Sequence, residues 1–172
     1  MTITTSNVVV IAIVALACVT DLRTRRIPNA LTFGAAIGAL LFHGFSAGIG
    51  GVGNSAAGWG LGAALFLPMF ALRGMGAGDV KLLAAVGAWL GPWPVVSVAL
   101  ITAVAGGIAG IAVSLVHGYL RTALKNLWVL LMSWRIGGIR PLPALTLEQA
   151  RGPRLAYALP IAIGTVTTLW LQ

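Results

Sequence analysis

Acidic residues and cysteine are almost missing from this sequence. Its 172 residues include three acidic side chains and one cysteine, and only 8% of the chain is charged. A soluble domain carries about 25% charged residues, so this chain has too few polar groups to cover a globular surface in water. The hydrophobic fraction of 59% and the mean hydropathy of +0.99 indicate a protein whose main solvent is lipid.

The scarcity of ligand-bearing side chains also bounds the chemistry. A single cysteine, Cys18, can form no intramolecular disulfide and no paired-cysteine zinc site. The two histidines, His43 and His117, fall at opposite predicted membrane faces, so the sequence offers no set of metal ligands. We therefore expect no metal and no cofactor.

Long uncharged stretches predict the membrane helices, since a span needs about 20 apolar residues. We predict an all-α membrane protein with six transmembrane helices and one interfacial amphipathic helix, forming a single domain over 1–172. The predicted spans are about 3–20, 30–46, 55–72, 79–93, 95–119 and 155–171.

The distribution of basic residues predicts the orientation. All 11 lie on alternate connections between the spans: Arg23, Arg25 and Arg26; Arg73 and Lys81; Arg121, Lys125, Arg135, Arg140, Arg151 and Arg154. The links 47–54 and 91–94 and both termini are uncharged, so the positive-inside rule places both termini outside and the basic connections in the cytoplasm. This pattern accounts for the net charge of +8. We therefore expect no nucleic-acid partner.

Two local patterns refine this topology. Trp89, Trp93 and Trp170 fall at predicted outer ends, where an aromatic belt is expected. Between the last two spans, apolar residues recur at helical spacing opposite the cations Arg121 and Lys125: Leu120, Leu124, Leu127, Trp128, Leu131 and Trp134. We predict a helix lying on the inner leaflet, with its cations facing anionic lipid headgroups.

Two of the three acidic residues border membrane helices on the predicted cytoplasmic side. Asp21 ends the first helix, and Asp79 begins the fourth after the glycine-rich stretch 74–78. A carboxylate near the bilayer is costly and is therefore a functional hypothesis. Each has a structural alternative, an ion pair of Asp21 with Arg25 or an N-cap role for Asp79. Together, on one side, the two aspartates favour a shared site.

The fourth predicted helix is short. From Asp79 to Trp93 it has 15 residues, or about 22 Å, whereas the hydrocarbon core is about 30 Å thick. Asp79 is therefore expected somewhat inside the inner boundary. The glycine-rich stretch before it would then enter the membrane, where non-helical backbone must be surrounded by protein or by a water-filled cavity.

Two segments resemble the paired motifs of type IV prepilin peptidases: Asp21-Leu22-Arg23-Thr24-Arg25-Arg26-Ile27-Pro28-Asn29 and Gly76-Ala77-Gly78-Asp79-Val80-Lys81. The segment Tyr157-Ala158-Leu159-Pro160-Ile161-Ala162-Ile163-Gly164 is similar to the family's last helix. The chain lacks the cytoplasmic zinc-binding segment of larger members. It resembles instead the small, peptidase-only branch that serves tight-adherence, Flp-type pili.

The resemblance implies an aspartic endopeptidase of the bacterial inner membrane. Its partner would be a prepilin, whose short basic leader is cut on the cytoplasmic side after a glycine. Asp21 and Asp79 match the catalytic positions, and five further matches are candidates for support or substrate binding: Gly76, Gly78, Lys81, Pro28 and Asn29. Lys81 has two open roles, lowering a carboxylate pKa or binding lipid phosphate.

Three other functions remain open at this point. A small transporter usually places ionisable groups near the bilayer midplane, not at its edge. A non-catalytic pilus-assembly scaffold would tolerate loss of either aspartate. A presenilin-like protease would cut within a membrane helix instead of removing a leader.

Overall fold

The computed structural model describes residues 4–118, 120–137 and 156–172. Within these ranges there is no strand, and the helices follow one another along the chain: α1 (Thr5–Thr24), α2 (Asn29–Ala71), α3 (Ala77–Leu90), α4 (Pro92–Val116), α5 (Leu120–Gly137) and α6 (Ala158–Leu171). The all-α prediction is confirmed.

Apolar length identifies the helices that can cross a bilayer. In the described part of the chain, α1, α2 and α4 are long and apolar enough to span it, and α6 is a shorter apolar helix. The chain is a membrane protein. The number of six crossings stays a prediction.

Helix α2 contains a sharp turn at one residue. Gly48 has φ 62° and ψ −150°, a combination that is essentially restricted to glycine. In a straight helix, His43 and Gly51 would lie about 12 Å apart, since they are eight residues apart in sequence. Here a Cβ added to Gly51 would collide with the carbonyl oxygen of His43, which shows that the chain folds back at Gly48. The predicted link over 47–54 is therefore mostly helical, since one glycine makes the turn between the arms 29–47 and 49–71.

The two arms of α2 contact the C-terminal end of α3 through hydrogen bonds between side chains and backbone carbonyls. The Ser55 hydroxyl donates to the Ala88 carbonyl at 2.8 Å, and Nε2 of His43 lies 3.1 Å from the Trp89 carbonyl oxygen. The Trp89 indole N–H donates to the Ala35 carbonyl at 2.9 Å. Trp89 is only 7% exposed, so its predicted place in a lipid-facing belt is wrong: packing between helices buries it.

Glycine brings the second arm of α2 into backbone contact with α3. A Cβ on Gly58 would collide with the carbonyl oxygen of Gly87, and a Cβ on Gly87 would collide with that of Gly58. Farther along, a Cβ on Gly62 would lie 2.6 Å from the Leu83 carbonyl oxygen. Small residues permit this approach in a membrane, where apolar burial does not by itself drive helices together.

The first and last described residues of the chain lie close to the C-terminal end of α3, whereas Asp79 lies at the N-terminal end of that helix. Thr4, Leu90, Leu169 and Gln172 line one cavity at the C-terminal end, whereas Asp79 lies in the first turn of α3. The 14 residues of α3 separate its two ends by about 21 Å.

Helix α5 confirms the predicted helical segment and exposes part of its apolar face. Leu124, Leu127 and Trp128 are exposed, as are the cations Arg121 and Lys125 on the same helix. Its place on a lipid surface stays a prediction. Four residues named in the sequence predictions lie outside the described residues: Arg140, Glu148, Arg151 and Arg154. The structure does not describe the side chains of Leu131 and Trp134 on α5.

Candidate active site

Asp21 lies in the last turn of α1, which extends to Thr24 and so beyond the predicted helix end. Its side chain is 7% exposed. Oδ2 accepts a hydrogen bond from the backbone N–H of Ala158 at 3.3 Å. Because α6 begins at Ala158, the N-terminus of that helix faces the carboxylate.

Asp79 lies in the first turn of α3 and is half-buried. Its Oδ2 accepts a hydrogen bond from the backbone N–H of Gly76 at 3.3 Å. The predicted N-cap alternative is wrong in detail, because the N-cap residue is Gly76 and Asp79 closes onto it from the third helical position. An ionised carboxylate can accept about four hydrogen bonds, so this bond leaves Asp79 capacity for water or a substrate group.

Both aspartates line one open cleft of about 440 Å³. The linker between α1 and α2 forms one wall, and the glycine-rich turn before α3 forms another. The structure thus brings the two predicted catalytic residues together with four of the five supporting candidates: Pro28, Asn29, Gly76 and Gly78.

The two glycines of the second motif are needed where they stand. A Cβ on Gly78 would lie 3.2 Å from Cβ of Ile27, and a Cβ on Gly76 would lie 3.1 Å from Oδ2 of Asp79. A larger residue at either position would push the linker away or crowd the carboxylate. Gly78 is therefore limited by the opposite wall of the cleft, and Gly76 by the Asp79 carboxylate beside it.

Lys81, the fifth supporting candidate, faces α2. Its Nζ donates to Oδ1 of Asn29 at 2.9 Å and lies 5.2 Å from the centroid of the Phe33 ring. Lys81 is therefore linked to the cleft through Asn29, which accepts its hydrogen bond and lines the cleft.

Helix α6 contributes groups that sequence reasoning did not assign to the site. The Ala158 N–H binds Asp21. Next to it, the Tyr157 ring packs edge-on against Phe66 with centroids 6.3 Å apart, and a Cβ on Gly106 would lie 2.6 Å from the Tyr157 hydroxyl oxygen. Pro160 signals a helix start in the sequence, but no local pattern indicates which carboxylate that start meets.

The cleft combines two carboxylates with the basic residues Arg25 and Arg26. Two carboxylates in a cleft that water can enter are suited to acid–base chemistry on a water molecule. Among the described residues, no group of three or more histidine, cysteine or acidic side chains could hold a metal ion. The expectation of a metal-free reaction stays a prediction.

Residues 8–111 match the family model of the type IV leader peptidases. The matched stretch contains both candidate aspartates and more than half of the 172 residues. No curated protein and no solved structure matches the chain significantly. The chain belongs to the type IV leader peptidase family, and this membership implies a protease.

Proposed function

We propose that this chain is an aspartic endopeptidase that removes the basic leader of Flp-type prepilins at the cytoplasmic face of the bacterial inner membrane. Asp21 and Asp79 are its catalytic pair. The observation that carries this proposal is that the two residues, from different helices, line the same open cleft. Family membership supports leader peptidase activity.

The chemistry follows from two carboxylates that share a site. Two adjacent negative charges repel each other, so the pair holds one proton between its members. The ionised carboxylate takes a proton from water as the water oxygen bonds to the scissile carbonyl carbon. The protonated carboxylate polarises that carbonyl and then gives its proton to the leaving nitrogen as the C–N bond breaks. Either aspartate can begin as the base.

Backbone donors orient both carboxylates for this reaction. The Ala158 N–H holds one oxygen of Asp21, and the Gly76 N–H holds one oxygen of Asp79. Each bond restricts rotation of its carboxylate without adding a side chain that would compete for the proton. Preset orientation of reacting groups contributes much of an enzyme's rate advantage.

Gly76, Gly78 and Pro28 are proposed to bind the substrate backbone, and Asn29 is proposed to support the wall beside them. All four line the cleft, and glycine permits close approach of another chain. An extended peptide between the linker and the glycine-rich turn would present its scissile bond to both carboxylates.

The charge distribution supports a cytoplasmic cleft. Arg23, Arg25 and Arg26 are exposed near Asp21, while the described chain ends lie at the opposite end of the bundle. The positive-inside rule assigns the basic end to the cytoplasm. A basic leader synthesised there would reach the cleft before the hydrophobic part of the prepilin leaves the membrane.

The inner leaflet is proposed as a second partner. Exposed Leu124, Leu127 and Trp128 on α5 suit burial among acyl chains, and cations on the same helix suit anionic headgroups. Such contact would hold α5 flat beside the cytoplasmic end of α4.

The rival functions predict different placements or products. A transporter would carry its ionisable site near the bilayer midplane, whereas Asp79 lies in the first turn of α3, at the end of that helix proposed to face the cytoplasm. A scaffold would work without either carboxylate. A protease that cuts within helices would leave a product that ends inside the apolar segment.

Coexpression with candidate Flp-type prepilins tests the proposal. We expect a mobility shift of the prepilin and, by mass spectrometry, a new N-terminus immediately after a glycine at the leader boundary. Asp79→Asn serves as the matched inactive variant. Cleavage inside the apolar segment, or equal processing by Asp79→Asn, would contradict the proposal.

A further inference from the structure

Lys81 lies two residues after Asp79, yet its charge is directed at another helix. The ammonium group donates to Oδ1 of Asn29 at 2.9 Å and lies over the Phe33 ring at 5.2 Å. Lys81 and Phe33 together line a small cavity of about 50 Å³ that is separate from the cleft. The charge of Lys81 is therefore turned toward α2.

Asn29 connects this bond to the candidate active site. It is the first residue of α2 and lines the cleft with Asp21 and Asp79. Pro28, directly before it, has φ −62°, a value that its ring fixes. A restraint on the Asn29 side chain is thus transmitted into the linker wall formed by residues 25–28.

The linker also contacts α3 through Ile27. A Cβ on Gly78 would lie 3.2 Å from Cβ of Ile27, so these residues are already in close contact. An apolar contact limits how near the two walls come but does not fix their register along α3. A hydrogen bond from a charged donor is stronger and directional, so the bond to Asn29 supplies the register.

We propose that Lys81 is a positioning residue. Acting through Asn29, it holds the linker wall of residues 25–28 against α3 and sets the distance between that wall and Asp79. A substrate peptide lying between the two walls is then aligned with both carboxylates. This inference rests on the proposed peptidase function and assigns Lys81 a role within that same site.

Two other roles for Lys81 lead to different measurements. A lysine that acted on the aspartates directly by its charge would change the pH profile when removed, and its effect would not depend on Asn29. A lysine that bound the headgroup of a lipid with net negative charge would matter only in membranes that contain such a lipid. Its removal would have no effect in vesicles of phosphatidylcholine alone.

The test measures prepilin cleavage by the full chain in phosphatidylcholine vesicles. Lys81→Met and Asn29→Ala should each lower kcat/KM by about 10- to 100-fold, because a displacement on the order of 1 Å costs about that much. The double variant should be no worse than the worse single one, and the pH profile of both single variants should match that of the wild type.

Two further variants serve as controls. Lys81→Arg should restore most of the activity, since a guanidinium also donates hydrogen bonds and stacks on an aromatic ring. Arg140→Met removes a positive charge from a residue outside both sequence motifs and outside α5 and should retain wild-type efficiency.

Wild-type efficiency in Asn29→Ala, additive losses in the double variant, or a shifted pH profile in Lys81→Met would each overturn the proposal. If Lys81→Met did not fold, Asn29→Ala would still remove the acceptor while leaving the charge in place. If the wild type cleaved no prepilin, the proposed function would fail by itself. The Lys81–Asn29 link would then be judged from unfolding temperatures, where additive effects overturn it and non-additive effects support it.

Discussion

The backbone N–H of Ala158 donates to Oδ2 of Asp21 at 3.3 Å, so α6 supplies a hydrogen bond to a carboxylate on α1. The family match ends at residue 111, and this contact therefore brings the site a group from outside the matched stretch. Asp79 is held differently, by the Gly76 N–H in its own helix turn. The two carboxylates of the cleft thus depend on different parts of the fold.

Replacing either aspartate by asparagine should nearly abolish cleavage. Asn keeps the shape of the side chain and removes its ability to cycle a proton, so Asp21→Asn and Asp79→Asn should each lower kcat by about 1,000-fold or more. Because the two act as one unit, the double variant should be little worse. Membrane insertion should survive, since neutral Asn costs less than Asp at the membrane edge.

Glu148→Gln is the matched control for these variants, because it changes the third acidic residue of the chain. It should process prepilin at the wild-type rate. Folded Asp79→Asn that still processed prepilin normally would refute the catalytic assignment.

Activity should follow a bell-shaped pH profile. At low pH both carboxylates are protonated and no base remains; at high pH both are ionised and no acid remains. The two apparent pKa values taken from kcat/KM belong to the pair and not to either residue. A profile with one limb only would indicate that a single carboxylate carries the chemistry.

The backbone contact between α2 and α3 should be sensitive to one methyl group. Gly58→Ala would place a Cβ against the Gly87 carbonyl oxygen and should lower the free energy of unfolding by about 1–3 kcal/mol. Gly60→Ala is the matched control, because a Cβ there meets nothing within 4 Å. It should be neutral or stabilising by up to about 1 kcal/mol, as alanine favours helix over glycine. Thermal unfolding in detergent compares the two, and equal stability would contradict the close approach.

Reporter fusions test the topology. All 11 cations lie on alternate connections of the sequence, so a reporter within 47–54 should be external and one within 136–150 cytoplasmic. Alkaline phosphatase and a cytoplasmically fluorescent reporter distinguish the two faces. An external reporter at 136–150 would remove the argument for a cytoplasmic cleft.

Chelation tests the metal-free mechanism. One cysteine and two histidines in the whole sequence give too few ligands for a catalytic zinc site of the usual kind. Purified enzyme should therefore keep its cleavage rate after dialysis against a strong chelator. Reproducible loss of activity that added zinc restores would refute a mechanism built on two carboxylates alone.

Hydropathy, charge spacing and two short motifs were sufficient to predict the class of protein and its candidate catalytic residues. In lipid every backbone polar group needs a partner, so a spanning chain forms helices or a closed barrel. Uncharged stretches that approach about 20 residues favour helices, so the all-α prediction follows from the length of the apolar stretches. Asp21 and Asp79 stand out because acidic residues are so few, and a buried or membrane-edge carboxylate needs a reason to be there.

The contacts that shape the cleft were decided only by tertiary structure. Gly48 is one of 23 glycines, and its role as the turn of α2 depends on how the two arms pack against α3. Lys81 follows Asp79 in the sequence, but its bond to Asn29 joins residues 52 positions apart. The Ala158 bond to Asp21 spans 137 positions. Local sequence patterns determine which segments form helices, whereas the packing of those helices determines which distant groups come within hydrogen-bonding distance.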